Sequence, residues 1–343
     1  MLDLFYLGTL ITLPVLIPII LIIWLLGKGK WDKQRYIKAL TLNSDKGLSS
    51  QGLLWLSILC PVCYFLFIGS IIWSGYEISI SEEGLSKFLS ISTLPLTLLS
   101  LAIPFSVLVS RFHATKQTAE QIKITRMKNN IDLFNSHRNE LFSYFNQIDE
   151  MNYFGVITGK YKVRPRLHKV FFMGKPAQGV PYVNPESFRN IENELSSARI
   201  NLHMIFSANL NDSNALDLAY DVYILNFCSC IYRLSEMLGL PEIYDTLAEK
   251  STLVPVTTAS RDKLEILTVG SRTLEAVSAY RYAKGFYDNL CDFAGESSMQ
   301  PDENHLKYID VGDKFLEAEG KNIIEHLHAT KIKEATGSYT HPH

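Results

Sequence analysis

The sequence reads FLSISTLPLTLLSLAIPFSVLVS over residues 88–110, without one charged side chain, and the basic segment RFHATKQT follows at once. An uncharged stretch of about 20 residues is long enough to cross the roughly 30 Å of bilayer hydrocarbon as a helix. Two more uncharged stretches, 4–27 and 51–76, precede it. We therefore expect three membrane helices, at about 4–27, 51–76 and 88–110, and do not expect a wholly soluble protein.

Whole-chain composition hides this division. The 343 residues contain 33 Lys and Arg against 35 Asp and Glu, and 47% of them are hydrophobic, with a mean hydropathy of +0.06. These values average an apolar first third with a polar remainder. The near-zero net charge gives no global sign of a nucleic-acid-binding protein. Five cysteines in a chain of this length do not make a disulfide framework, and we interpret them as packing residues.

The loops between the uncharged stretches differ in charge. The first loop holds six basic residues between Lys28 and Lys46, whereas the second, residues 77–87, holds three glutamates and a single lysine. Because cytoplasmic loops of membrane proteins are enriched in Lys and Arg, we predict the N-terminus outside and the C-terminal part in the cytoplasm. Asp3 and the length of the first stretch argue against a cleaved signal peptide.

The third stretch carries a stripe of small side chains, which recur at four-residue steps at Ala102, Ser106, Ser110 and Ala114. Small residues at this spacing let two helix backbones approach closely. This small-residue stripe could pack against a helix of the same chain or against a second protomer, and both alternatives stay open. None of the three uncharged stretches contains Asp, Glu, Lys, Arg or His. A pump or coupled transporter is therefore not expected, because such proteins place ionisable groups inside the membrane.

The remainder of the chain has the pattern of helices. Residues 111–150 lack Gly and Pro and predict one juxtamembrane stalk helix, in which an apolar seam runs from Met127 to Ile148 and His137 is a hydrogen-bonded packing residue. Further helices are predicted over 185–207, 212–238, a short segment from Pro241, 261–293 and 311–332. The expected fold class is all-α, with a transmembrane domain over 1–110, the stalk over 111–150 and an α-helical cytoplasmic domain over 151–343.

One segment of the cytoplasmic part is strongly basic, since residues 151–185 contain no acidic residue. Basic side chains alternate there with mostly apolar ones, which in an extended chain places the charge on one face, and Pro165 would keep it at an edge or in a loop. The aromatic residues Tyr161, Phe171 and Phe172 lie nearby, and such rings suit the stacking of nucleic-acid bases. We predict either contact with a polyanion, nucleic acid or anionic lipid, or a solvated loop. The basic cluster consists of Lys160, Lys162, Arg164, Arg166 and Lys169.

Motifs of catalysis are absent from the sequence. It has no G-x-x-x-x-G-K-[ST], no G-x-S-x-G and no H-E-x-x-H. Two histidine pairs near the C-terminus, His326 with His328 and His341 with His343, could bind metal by composition, but we interpret them as solvated. We therefore predict no catalytic, cofactor-binding or metal-binding residue, no small-molecule substrate, and a protein that is not an enzyme.

The juxtamembrane sequence resembles a known family. Residues 111–122, RFHATKQTAEQI, together with Lys128–Ile131 and Phe134–His137, look like the juxtamembrane block of retron-associated membrane effectors of bacterial anti-phage defence. The first apolar stretch is additional to the two-helix layout of that family. The resemblance implies a multi-pass toxin of the bacterial inner membrane. Such a toxin is held inactive by a reverse transcriptase with its RNA–DNA product, and depolarises the membrane in abortive infection when phage disturbs that complex.

Two other functions stay open. The chain could be a non-toxic membrane-anchored sensor or scaffold whose cytoplasmic domain binds a partner, or a membrane-bound enzyme with a site assembled from distant residues. Expression without partners distinguishes the effector from the sensor or scaffold, because an effector depolarises the cell and a membrane-anchored scaffold is harmless.

Overall fold

The computed structural model describes residues 2–27, 33–209, 212–257, 263–298, 306–317 and 322–337. The chain forms two compact units, Met1–Met127 and Lys128–His343. Most of the described residues are helical, and the strands among them form three antiparallel two-stranded hairpins. The predicted helical class is confirmed at that level.

The first unit holds the apolar helices. Its elements are α1 (Leu2–Leu26), α2 (Lys33–Leu40), α3 (Gly52–Trp73), α4 (Glu82–Ile91), α5 (Thr93–Ser100) and the first half of α6 (Ala102–Gln147). Helices α1 and α3 pack together, and the Tyr64 hydroxyl donates a hydrogen bond to the backbone oxygen of Ile11 at 2.7 Å. Three helical stretches of the described residues are long and apolar enough to cross a membrane: Gly8–Leu26, Gly52–Trp73 and Thr93–Gln147.

The third apolar stretch is interrupted, whereas the sequence predicted one helix over 88–110. Helix α4 ends at Ile91 and α5 ends at Ser100. Each of these residues lies four positions before a proline, Pro95 or Pro104, and a proline nitrogen has no hydrogen to donate to the carbonyl four residues earlier. The prediction of a single unbroken helix is therefore wrong, although the stretch as a whole keeps its apolar length.

Polar side chains form hydrogen bonds that stabilise the turns between helices of the first unit. Trp73 Nε1 donates to the Ser92 hydroxyl oxygen at 2.8 Å, next to the break between α4 and α5. Gln51 is buried just before α3, where its Nε2 donates to the Asn43 backbone oxygen and its Oε1 accepts from the Asn43 backbone nitrogen, at 2.8 and 2.9 Å. The loop between α2 and α3 is thereby held by a side chain that sequence periodicity does not indicate.

Helix α6 runs without a break through the boundary between the two units. The stalk predicted over 111–150 is helical, as the absence of Gly and Pro indicated, but it ends at Gln147. Leu141 and Phe145 of its apolar seam are fully buried in the core of the second unit, whereas Met127 is 57% exposed. The seam therefore begins after Met127. The functional boundaries expected near residues 110 and 150 stay predictions.

The second unit combines helices with short hairpins. After α6 come β1 (Met151–Tyr153), β2 (Ile157–Gly159), α7 (Pro165–Phe171), β3 (Phe172–Met173), β4 (Tyr182–Val183), α8 (Pro185–Phe206), α9 (Ser213–Leu218), α10 (Leu225–Leu238), α11 (Pro241–Leu247), β5 (Leu253–Thr257), β6 (Lys263–Leu267), α12 (Thr273–Ala294), α13 (Lys307–Asp310), α14 (Lys314–Glu317) and α15 (Ile323–Gly337).

Helices α8, α10 and α12 form the centre of the second unit. Apolar side chains three and four positions apart, such as Ile191 and Leu195 on α8 and Ile231 and Leu234 on α10, are fully buried. The helices predicted over 185–207 and 212–238 are confirmed. The second of them contains a π-helical stretch, Ala219–Ile224, between α9 and α10.

Two predicted helices are shorter than expected. The helix predicted over 261–293 begins only at Thr273, because β5 and β6 pair as antiparallel strands and Gly270 follows with a φ of +67°. This left-handed backbone conformation is easy for glycine and incompatible with a right-handed helix. Within the helix predicted over 311–332, α14 begins only at Lys314, after Gly312, which has a φ of +77°, and α15 begins at Ile323.

Candidate functional surfaces

The small-residue stripe lies on the first half of α6. Ala102, Ser106 and Ser110 are half-buried and Ala114 is exposed. The Ser106 hydroxyl donates to the backbone oxygen of Ile103 at 2.9 Å, so its hydrogen bond is made within the helix. Atoms of the first unit thus cover part of the stripe and leave its last position open. Self-association through the stripe stays a prediction.

An apolar groove of about 370 Å³ lies in the first unit, between α3 and the α5–α6 segment. Only the hydroxyls of Ser57 and Tyr64 bring side-chain oxygen to its lining, and apolar side chains make up the rest. Phe105 and Val109 contribute from α6, on the face next to the stripe. The groove therefore suits hydrocarbon, either an acyl chain or an apolar side chain.

His113 lies between the last two stripe positions, Ser110 and Ala114, on α6 and was not indicated by the sequence pattern. It is 4% exposed, and neither ring nitrogen has a hydrogen-bond partner among the described residues. Close by on the same helix, Lys116 and Gln117 donate to the backbone oxygens of Leu42 and Ser44. A buried polar group without a partner costs roughly 1–3 kcal/mol, so the packing at His113 is less stable than apolar packing would be.

The basic cluster is exposed but does not form one extended ribbon. All five side chains are exposed, and none of them forms an ion pair within the described part of the chain. Pro165 is the first residue of α7, so Arg166 and Lys169 are helical. Proline suits that position because its fixed φ matches the helix and the first turn needs no N–H donor. The extended arrangement predicted for the cluster is therefore wrong beyond Arg164.

The aromatic residues expected to accompany the basic cluster are not available to a ligand. Tyr161, Phe171 and Phe172 are all buried in the core, 4% exposed or less. The exposed apolar groups of this region lie instead on the β3–β4 pair, where Met173 and Tyr182 are opposite each other and are 36% and 61% exposed. Nucleic-acid bases therefore cannot stack on these three buried rings. Contact between phosphates and the basic side chains stays a prediction.

A histidine pair anchors α7, the helix of the basic cluster, to α6. His137 Nδ1 and His168 Nε2 share a hydrogen bond at 3.0 Å. The ring of His137 also contacts Phe172 and Phe293, at centroid distances of 4.7 and 5.3 Å. Burial, aided by His137 and Arg138, lowers the pKa of His168 to about 4, and burial also lowers the pKa of His137. The prediction that His137 is a hydrogen-bonded packing residue is confirmed.

The remaining histidines differ in burial, and the five cysteines are free thiols. His328 is buried and shares a hydrogen bond with the Tyr220 hydroxyl at 3.0 Å, so the expectation that it is solvated is wrong. His326 is exposed, and the pair His341 and His343 lies outside the described residues. Among the residues the structure describes, no group of three His, Cys, Asp or Glu side chains could hold a metal ion.

Sequence reasoning also missed a polar cleft in the second unit, with a volume of about 460 Å³. Three separate parts of the chain line it: the β1 strand with the turn after it, the middle of α12, and the segment that joins α13 to α14. The lining residues are Asn152, Tyr153, Phe154, Arg281, Lys284, Gly285, Asp288, Asp310, Val311, Gly312 and Asp313.

Phe154 and Gly285 shape this polar cleft. Phe154 has a φ of +54°, which is rare for a bulky side chain, and its ring lies under the guanidinium of Arg281 at 5.1 Å. A Cβ at Gly285 would lie within 2.6 Å of the hydroxyls of Tyr153 and Tyr161, which share a hydrogen bond of 2.6 Å. The absence of a side chain on Gly285 therefore makes room for the tyrosine pair beside the cleft.

Comparison with known proteins adds no relative. No family model, no curated protein and no solved structure matches this chain.

Proposed function

We propose that this chain is a membrane effector of a retron-type bacterial anti-phage system. In this proposal the three apolar stretches lie in the inner membrane and the second unit lies in the cytoplasm. A reverse transcriptase with its RNA–DNA product holds the protein inactive. Release from that complex leads to depolarisation of the membrane and abortive infection.

The observation that carries the proposal is the continuity of α6. Helix α6 contains the last part of the third apolar stretch, the small-residue stripe, the block 111–122 that resembles retron-associated effectors, and the core residues Leu141 and Phe145. Because backbone hydrogen bonds run along the whole helix, it contains no flexible linker that would uncouple its two halves. A plain tether needs no such continuity.

The basic cluster is the proposed contact for the inhibitory complex. Its side chains are exposed cations without partner carboxylates among the described residues, and release of counterions from nucleic acid favours their contact with phosphates. Arg166 and Lys169 lie on α7, which the His137–His168 hydrogen bond attaches to α6. A partner bound at the cluster would therefore act on a segment fastened to α6.

Depolarisation in this proposal requires self-association. The uncharged stretches contain no Asp, Glu, Lys, Arg or His for a charged pathway, and three helices of one chain cannot enclose a water-filled pore. Several chains, or a disrupted bilayer, are needed instead. The small-residue stripe is the proposed contact, because helix association in lipid depends on close van der Waals packing.

The test is expression of the full chain in bacteria, alone and together with a reverse transcriptase and its template RNA encoded beside it. Membrane potential is followed with a voltage-sensitive dye, and the membrane fraction is blotted to compare protein levels. The chain alone should depolarise cells, and co-expression should protect them. Ser106→Leu is the matched control, because it should insert in the membrane at the same level without depolarising.

A well-inserted chain that leaves the membrane potential unchanged would overturn the effector proposal and favour the non-toxic sensor or scaffold. Depolarisation that co-expression does not prevent would retain the toxin and reject the inhibitory complex.

A further inference from the structure

The segment between α3 and α4 exposes two large apolar side chains almost completely. Ile78 is 98% exposed and Ile80 is 94% exposed. Single exposed apolar residues are common at protein surfaces, but these two isoleucines make almost no contact with their own chain and lie beside further exposed apolar residues. A larger exposed apolar surface of this kind marks a contact with another molecule or with a membrane.

The close approach of Ser79 to α4 directs both isoleucines outward. A Cβ at Gly84 would lie 2.3 Å from the Ser79 backbone oxygen and 2.9 Å from the Ser79 Cβ, so Ser79 packs against α4 where that helix has no side chain. The Ser81 hydroxyl accepts a hydrogen bond from the Gly84 backbone nitrogen at 3.1 Å and caps α4. With Ser79 against the helix, Ile78 and Ile80 on either side of it project away, as their exposure shows.

Helix α4 continues this apolar surface along one side. Leu85 and Leu89 lie four positions apart, so they share a face of the helix, and both are more than half exposed. The opposite side is polar and is formed by Glu83, Ser86, Lys87 and Ser90. An amphipathic helix with both faces exposed suits a boundary between water and hydrocarbon. We call Ile78, Ile80, Leu85 and Leu89 together the α4 apolar surface.

The place of this surface along the chain indicates what covers it. The second membrane-length helix ends at Trp73, and the third membrane-length stretch begins only at Thr93, so α4 belongs to neither. Residues 74–92 join these two stretches, and in a membrane both ends of the segment lie where the stretches leave the hydrocarbon. Trp73 Nε1 donates to the Ser92 hydroxyl oxygen at 2.8 Å, which holds the two ends together at one membrane face. Lipid is therefore the molecule that surrounds the α4 apolar surface.

The charges of the segment argue against other occupants. Residues 74–92 contain Glu77, Glu82 and Glu83 and a single cation, Lys87. A second copy of this surface would bring like charges together, and a polyanion would be repelled in the same way. Neither objection applies to lipid hydrocarbon beneath zwitterionic headgroups.

We infer that the α4 apolar surface inserts into the lipid interface, so that α4 lies at the membrane surface and the third span begins at Thr93. The end of α4 at Ile91, four residues before Pro95, is then the point where the chain leaves the surface and enters the span. This inference rests on the membrane location in the proposed function and not on toxicity, because a membrane-anchored scaffold would make the same contact.

Fluorescence quenching in phosphatidylcholine vesicles tests the inference. The reconstituted full chain carries one added cysteine labelled with the dye NBD, through Ile80→Cys or Leu89→Cys on the α4 apolar surface, or through Ser86→Cys on the polar side as the matched control. A nitroxide-labelled lipid should quench the labels at residues 80 and 89 about threefold or more than the label at residue 86. Iodide on both sides of the vesicle should give the reverse order. The natural chain, labelled in parallel, corrects for its own five cysteines.

Alkaline carbonate extraction of the same vesicles separates this inference from the proposed function. A chain that carbonate releases does not span the membrane, and the proposed function and the inference then both fail. Three results with an inserted chain overturn the inference alone. Iodide may quench all three labels equally, which places the surface in water; the nitroxide lipid may quench all three equally, which places α4 within the span; or neither quencher may reach residues 80 and 89, which shows that protein covers them.

Discussion

Lowering the pH from 7.5 to 5.0 should loosen the packing of α7 on α6. His168 is 3% exposed, and its pKa in the folded protein is lowered from 6.5 to about 4 by burial, His137 and Arg138. The unfolded chain therefore takes up a proton below about pH 6.5, whereas the folded chain does so only near pH 4. Stability is thus fully present above pH 6.5, falls as the pH drops below that value, and levels off below about pH 4.

The size of this effect follows from the two pKa values of His168. At pH 5, linkage gives a loss of about 2 kcal/mol in the free energy of unfolding relative to pH 7.5, or about thirtyfold in the opening equilibrium. The pKa of His137 is lowered in the same direction, and its burial is likewise the main cause. Protonation of the ring nitrogen that accepts the hydrogen bond also removes the bond that joins the two helices.

Hydrogen–deuterium exchange with mass spectrometry measures this opening. Tryptophan fluorescence does not report on α7, because all four tryptophans lie before residue 74. Peptides that cover α7 are compared at pH 7.5 and 5.0, with rates corrected for the intrinsic pH dependence of exchange. The protection factor of α7 should fall by about thirtyfold at pH 5.0 if opening is local.

His168→Gln is the matched variant for this prediction. Glutamine keeps a hydrogen-bonding amide toward His137 and does not titrate, so the pH effect on α7 should fall by at least half. A full pH effect in this variant, or equal protection of α7 at both pH values in the natural protein, would refute the reasoning.

Three further outcomes test the proposed function. Ser106→Leu should abolish depolarisation while the protein level in the membrane stays normal, and Leu99→Ala, which lies off the stripe, should reduce depolarisation only slightly. Full depolarisation by a well-inserted Ser106→Leu variant would show that the stripe is not the assembly surface. Changing the first four residues of the basic cluster to Gln should weaken partner binding and lower the slope of log affinity against log salt concentration by about one per charge removed. Unchanged partner binding would favour the alternative that the segment is a solvated loop. Reporter fusions after Gly84 and Glu150 should give outside and inside signals, and an inside signal at Gly84 rejects the three-helix topology.

Helices with strong local signals could be predicted from the sequence. Pro185 occupies the first turn of α8, and Asp212 accepts a hydrogen bond from the Asn214 backbone nitrogen at the start of α9. Both residues act on the backbone within three positions, and the apolar spacing after them selects the buried face. The continuity of α6 is equally local, because it depends on the absence of Gly and Pro between Arg111 and Gln147.

Breaks that depend on packing could not be predicted in the same way. Pro14 and Pro61 remain inside continuous helices, whereas Pro95 and Pro104 follow helix ends. A proline always removes one hydrogen bond, but whether the helix ends there depends on what satisfies the freed carbonyl. Strand β6 was misread for another reason, because leucines three residues apart fit a helix seam until the partner strand β5 is known.

The polar cleft is only weakly indicated by the sequence. Its three parts, around Phe154, Arg281 and Asp313, are separated by up to 159 positions, so no motif could span them. One local signal does exist on α12. Arg281, Lys284 and Asp288 are spaced three and four positions apart on one face, while the other faces of that helix are buried in the core. A charged row on an otherwise buried helix must face an opening, because burying three charges without partners would cost more than the core could supply. That row indicates a cleft, but only the fold shows which other parts of the chain complete it.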